Sequence, residues 1–434
     1  MKSILTFLFG VLVINIYAQT LYFPPITGNQ WDTLSPSALN WCQPQIDSLY
    51  SYLDANNTKA FILLKDGKIV LEKYFGTHTQ SSVWQWASAG KTITSFMVGI
   101  AQQEGFLSIN DSTSKWLGNG WTACTPQQEK NIKVWNQLTM TSGLDDNVAD
   151  PFCTIDTCLI YKADAGTRWA YHNAPYTLLD KVIENSTGFT LNQYTTQKLK
   201  NPTGMTGLFV PVDFNNVYFS NARSMARFGL LMLNKGKWNS TQILNDTSYF
   251  SQLINTSQNL NKSYGYLWWL NGKQSFMVPG SQLVIPGPLN PNAPSDLYIA
   301  MGKDGQFLNV VPSNKMVWVR MGNAPDGLPV PYLLNDEIWK RINLLNCSGS
   351  GMSNELNENL FSVYPNPTGH LLNLISNEIM TQFQIYTLEG RLKLTGLINN
   401  KSSTLDVSEL NPGVYTLKVS ATKGDVIIRK FVKY

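Results

Sequence analysis

Two periods of apolar residues run along the chain, and the places where one gives way to the other mark its elements. Ile46 to Leu53 carries apolar residues at helical spacing. Residues 59–65 and 68–74 are β-rich runs on either side of Asp66-Gly67, and that pair between such runs predicts a hairpin. After Lys91, the residues Ile93, Phe96, Met97, Ile100 and Ala101 recur on one helical face, so a buried helix is expected to begin near Ser88. Helical patterns return over 175–186 and 222–233, between Gly- and Asn-rich loops. Residues 296–302, 306–311 and 315–320 read as strands, with Asp304-Gly305 and Pro312-Ser313-Asn314 as turns, and 333–345 is helical again. Strands at both ends of this half and helices between them imply one sheet closed by distant parts of the chain. The expectation is an α+β fold, an antiparallel sheet flanked by helices with an inserted all-helical subdomain.

The two ends read differently. Lys2, the mostly apolar run Ile4 to Ile16 and Tyr17-Ala18 form the pattern of a signal peptide over 1–18, too short for the roughly 20 residues of a membrane span. Residues 19–347 form the main domain. Residues 348–358, rich in Ser, Gly and Asn, read as a linker. Over 359–434, short alternating segments with turns every ten residues or so predict a small β-sandwich.

Composition narrows the function. Hydrophobic residues make up 43% and charged residues 14% of the 434, enough for a core, and the net charge of +4 comes without a Lys/Arg cluster that would suit nucleic acid. No other segment is long and apolar enough to span a membrane. Cys42, Cys124, Cys153, Cys158 and Cys347 suit an oxidising compartment; Cys153 and Cys158 are close enough to bridge, the odd count leaves at least one thiol unpaired, and the connectivity stays open. The three histidines, His78, His172 and His370, have no metal-ligand spacing to a cysteine pair, so no metal or cofactor is expected.

Ser88 and Lys91 lie one helical turn apart, so a serine nucleophile and a lysine proton acceptor can meet there. The chain holds three Ser-x-x-Lys matches. Ser112…Lys115 sits in a polar segment and Ser420…Lys423 at a hairpin tip of the tail; Ser88 alone stands at a helix start among apolar residues. Burial there would lower the lysine pKa toward neutrality, which a general base requires. Tyr171 and Asn173 fall on one side of an extended segment, where the phenol could relay a proton and the amide could orient Lys91 or hold a substrate carbonyl. Tyr364-Pro365-Asn366 repeats that pattern in the tail. At the end of the 296–302 strand, Gly302 permits close backbone approach, and the N–H of Lys303 could join that of Ser88 as an oxyanion hole. A Ser-His-Asp hydrolase using His78 or His172 is a rival, without a Gly-x-Ser-x-Gly elbow. A non-catalytic binder is another.

In order and spacing, Ser88-Ala-Gly-Lys91, Tyr171-His-Asn173 and the Gly302 strand resemble the serine β-lactamase and penicillin-binding-protein superfamily, in its class C-like branch of esterases, D-aminopeptidases and 6-aminohexanoate-dimer hydrolases. Residues 138–144, 222–231 and 264–269 extend the resemblance, which covers about 45–345. It implies Ser88 as the acylated nucleophile, Lys91 as base, Tyr171 as acid/base partner and the Ser88 and Lys303 amides as oxyanion hole. Classical members carry Lys-Thr-Gly on that strand to grip a carboxylate; here it is Ala300-Met301-Gly302. The expected activity is therefore an esterase or amidase on small acyl substrates, with β-lactamase or D-Ala-D-Ala-type peptidase as the alternative. In the tail, Tyr364-Pro-Asn-Pro367, Gly413-Val-Tyr-Thr-Leu-Lys418 and Phe431-Val-Lys-Tyr434 resemble the C-terminal sorting domain of type IX secretion. That implies the secretion machinery as a partner and export through periplasm and outer membrane to the surface or beyond.

Overall fold

A computed structural model describes residues 21–324, 329–347, 361–387, 391–422 and 426–434. The expected signal peptide (1–18) and linker (348–358) lie outside the described residues. The chain divides into two compact units, Met1–Cys347 and Ser348–Tyr434.

The first unit is built on a six-stranded antiparallel sheet. In chain order its strands are β1 (Thr58–Lys65), β2 (Lys68–Tyr74), β3 (Trp269–Leu270), β4 (Tyr298–Gly302), β5 (Gln306–Val311) and β6 (Met316–Gly322). In space they run β2-β1-β6-β5-β4-β3, so the N-terminal hairpin pairs with strands some 250 residues later, as the pattern of strands at both ends implied. Asp66 (φ +52°) and Gly67 (φ +85°) make the hairpin turn that the Asp-Gly pair predicted. The central strands are buried on both faces, because helices cover both. Helices α1 (Gln43–Ala55) and α6 (Tyr332–Ile342) pack with each other, while α5 (Ala222–Leu233), the span read from sequence, lies against β5 and β6. Gly229 in α5 leaves room for Val317 and Leu308.

Between α2 (Lys91–Gln103) and β3 lies the inserted region, with α3 (Asn173–Thr177) and α4 (Leu179–Thr187) among its helices. It is not all-helical. Strands Leu208–Val212 and Asn215–Ser220 form a hairpin, and Trp84–Gln85 pairs with its second strand. The β-branched and aromatic run Val217-Tyr218-Phe219, beyond a turn at Asp213 (φ +51°), explains the strand.

Two disulfides form, Cys153–Cys158 and Cys42–Cys347, and Cys124 is free. The second joins residues 305 apart and lies beside the Trp41–Asn346 bridge and the Cys42 N–H to Leu345 carbonyl bond of 3.0 Å. Closing so long a loop restricts the unfolded chain. Replacing both Cys42 and Cys347 with serine is expected to lower stability by about 3 kcal/mol in urea denaturation. A loss too small to resolve would mean that the neighbouring backbone pairing holds the ends unaided.

The second unit is one antiparallel sheet of five strands: β7 (Phe361–Tyr364), β8 (Leu371–Thr387), β9 (Leu392–Asp406), β10 (Gly413–Ala421) and β11 (Val426–Lys433). Two segments that read as separate strands, 371–375 and 382–386, are one long strand with pairing irregularities near Met380. Its first half pairs with β7 and β9, its second with β9 and β10, so the sheet curls around its own core of Leu372, Leu374, Ile385, Leu417 and Phe431.

Candidate active site

Ser88 lies in a 3-10 turn, Ala87–Gly90, that runs directly into α2. Eleven of the thirteen α2 residues are buried, from Lys91 to Ala101, so this helix passes through the core and its start is fixed. The turn is pinned from behind. The Trp86 N–H donates to the Tyr218 carbonyl at 2.8 Å, and its indole donates to Ser220 Oγ at 2.8 Å. Ala87 holds φ +46°, a conformation costing a non-glycine residue about 1 kcal/mol or more, immediately before the serine it orients.

Lys91, 4% exposed, is the first residue of α2. Its Nζ sits 4.0 Å from the centre of the Tyr176 ring and 5.5 Å from that of Tyr171. Burial lowers its pKa to about 7, and Asp180 opposes the shift. The positive end of the α2 dipole disfavours the ammonium further. An amine that loses its proton near pH 7 is a general base at neutral pH.

Tyr171 is packed among aromatic rings. It stacks on Trp269 (5.8 Å, 20°) and meets Tyr264 edge-on. Burial pushes its phenol well above the usual tyrosine range, while the Ser88 side chain pulls the other way. Tyr171 is thus a neutral phenol facing Ser88, whereas the Lys91 amine loses its proton near neutral pH. Asn173 opens α3 and is half-buried, and its side-chain amide makes no hydrogen bond, to Lys91 or otherwise, among the described residues. Its carbonyl accepts from Thr177. His172, between them, is 1% exposed, its ring nitrogens have no hydrogen-bond partner among the described residues, and burial lowers its pKa to about 4. His78 packs against the Tyr74 and Trp84 rings. Neither makes the bond to Ser88 that a Ser-His-Asp site needs.

Gly302 brings β4 against the Ser88 turn. A Cβ on it would stand 3.1 Å from Ser88 N, 2.9 Å from Ala89 N and closer still to the Trp86 carbonyl. The next amide, of Lys303, follows within one residue of that contact, while the Lys303 side chain is exposed. The turn beyond is clamped by side chains. Buried Gln306 donates to the Lys303 carbonyl at 3.2 Å, and buried Arg320 donates to the carbonyls of Asp304 (3.1 Å) and Gly305 (2.7 Å). Ala300 and Met301 are buried and bring neither charge nor hydroxyl to the strand end.

The other Ser-x-x-Lys in the first unit is unlike this one: Lys115 is exposed and paired with Asp111 at 2.9 Å. Asp180 was not among the sequence candidates. It lies on α4 against α2, 6% exposed, and accepts from Thr94 Oγ1 (3.4 Å) and Asn216 Nδ2 (3.2 Å). Its one sequence signal is position, four residues after Tyr176 on the apolar face that also carries Leu179, Val182 and Ile183.

The beta-lactamase family profile matches residues 57–340, and a secretion system C-terminal sorting domain matches 362–434. No curated protein sequence matches the chain. Among solved structures, a candidate 6-aminohexanoate-dimer hydrolase from Bacillus anthracis superposes with TM-score 0.55 at 19% identity, covering 74% of this chain and 89% of that one. An octameric penicillin-binding protein homologue from Pyrococcus abyssi gives 0.51 at 15%, covering 90% and 95%. A family VIII carboxylesterase gives 0.51 at 14%, covering 69% and 98%. At such identities the likeness speaks for the fold. No described helix is long and apolar enough to cross a membrane, and the sorting domain directs export by type IX secretion to the cell surface or outside. The chain belongs to the beta-lactamase family, the serine β-lactamase and penicillin-binding-protein superfamily of hydrolases, and carries a type IX sorting domain at its C-terminus.

Proposed function

We propose that the chain is an exported serine hydrolase that works through an acyl-enzyme on Ser88, as an esterase or amidase on small acyl substrates. In this reading the mature hydrolase domain is 19–347, followed by the linker 348–358 and the sorting domain 359–434. The observation that carries the proposal is the buried amine of Lys91, one turn from Ser88 and held near neutrality beside a neutral phenol. A protein that only binds has no use for an amine kept in that state.

Lys91 Nζ takes the Ser88 hydroxyl proton as Oγ attacks the substrate carbonyl carbon. The carbonyl oxygen becomes an oxyanion received by the N–H groups of Ser88 and Lys303. The carbonyl re-forms, the bond to the leaving group breaks, and Tyr171 passes the proton to that group. Water then repeats the sequence on the acyl-enzyme, which returns Ser88 and releases the acid. Asn173 is available to hold a substrate carbonyl. Ala300-Met301-Gly302 offers nothing to grip a carboxylate, which favours neutral acyl groups over β-lactams or D-Ala-D-Ala peptides.

The test is labelling of the mature protein with a fluorophosphonate probe, followed by peptide mapping. One adduct on Ser88 and hydrolysis of short p-nitrophenyl esters are expected, with slow or no turnover of nitrocefin. Folded protein that takes no label between pH 6 and 9 rules out the enzyme reading. Nitrocefin turnover far above that of the esters rules out the substrate assignment.

A further inference from the structure

We propose that Asp180 is a positioning residue for this reaction, a buried counter-charge to Lys91 that sets the pH at which the amine becomes a base. The proposal rests on the Ser88–Lys91 reading above and adds a residue to it. Two contacts and one helical spacing form the cluster. Lys91 Nζ lies over the Tyr176 ring at 4.0 Å. Asp180 follows Tyr176 by one helical turn. Thr94, one turn after Lys91 on α2, donates to Asp180 Oδ1 at 3.4 Å. Thr94 and Tyr176 thus tie the carboxylate to the helix that begins with Lys91 and to the segment whose ring the ammonium covers.

The other groups around the amine carry no charge at neutral pH. Tyr176 and Tyr264 are buried and Tyr171 is partly buried, and all three phenols are pushed well above the ordinary tyrosine range by desolvation. Asp180 is the charged group that acts on Lys91. Asp180 in turn faces Thr94 from α2, Asn216 from the small sheet and Glu184 on its own helix, and Glu184 is ion-paired with Lys181 at 2.7 Å. Burial raises its own pKa to about 7, and the bonds from Asn216 and Thr94 favour its charged form. Asp180 and Asn216 also line a cavity of about 330 Å³, away from the Ser88 turn, which gives the carboxylate a route to solvent protons.

The sign follows from the charges. A carboxylate beside an ammonium stabilises it, so removing the carboxylate makes Lys91 lose its proton at lower pH. Asp180→Asn keeps the shape and removes the charge. In protein labelled with ¹⁵N-lysine, with the Lys91 Nζ signal assigned by its absence in Lys91→Met, the titration of Lys91 is expected to move down by about one pH unit. The acid limb of the pH–rate profile for acylation by a p-nitrophenyl ester should move down with it. Should Asp180→Asn fail to fold, Asn216→Leu serves instead. It withdraws a donor from the charged carboxylate, Asp180 stays protonated to higher pH, and Lys91 again titrates lower. A Lys91 titration that neither change moves overturns the proposal, even where the acylation rate falls, since that fall would be structural. The NMR titration reads the coupling without turnover. Absence of acylation in the wild type would therefore count against the hydrolase reading and leave the Asp180 result to stand or fall separately.

Discussion

Replacing Lys91 with methionine is expected to slow acylation of Ser88 by about 10³-fold, because a positioned general base supplies roughly 10²–10⁴ of the rate. Nothing nearby can take over. The Tyr171 phenol keeps its proton far above neutral pH, and His172 has no bond to Ser88. Methionine fills the buried site with an unbranched chain and removes an amine that burial disfavours, so the fold should be at least as stable. The wild type should also show a rate that rises with pH and levels off above about pH 7, where Lys91 becomes the free amine. The sign is fixed: the reaction needs the deprotonated lysine, so acid inhibits. Burst kinetics with a p-nitrophenyl ester, beside thermal melts of both proteins, check the point. A methionine variant within tenfold of the wild type, with the same pH limb, would remove Lys91 from the proton path.

Some of this site was legible in the residues and some was not, for physical reasons. The Asp66-Gly67 hairpin and helix α5 declare themselves locally, by turn chemistry and by a full helical period of apolar residues. Ser88…Lys91 could be separated from its two rivals because an apolar helical face follows it. Asp180 could not be found that way. A carboxylate within a helix reads as a solvent-facing residue, and only the packing of α4 on α2 buries it. The Cys42–Cys347 link is equally silent in sequence, since nothing local records a partner 305 residues away. In the second unit the period of two identifies strand residues. It does not say where a strand continues through the irregularity at Met380 or that the sheet curls.

Adding one methyl group at Gly302 is expected to cost about as much as removing the lysine. The atoms that a Gly302→Ala Cβ would strike, the Trp86 carbonyl and the amides of Ser88 and Ala89, are backbone and cannot swing aside. They belong to a turn tied by the Ala89 N–H to Trp86 carbonyl bond of 3.0 Å and by both Trp86 donors. On the other side, Gly302 pairs with Gln306, whose amide also holds Gly322 and the Lys303 carbonyl. With both partners fixed, strand β4 must retreat from the Ser88 turn, and the Ser88 and Lys303 N–H groups proposed to receive the oxyanion move apart. A single oxyanion donor is worth about 3 kcal/mol, and misplacing both should lower kcat by about 10³-fold or more. KM should change far less, because the donors are aimed at a charge that exists only in the transition state. The measurement is kcat and KM for a short ester together with the melting temperature. A kcat within about tenfold of the wild type, in folded protein, would mean that the Lys303 amide does not serve the oxyanion. The close approach of Gly302 would then be packing alone.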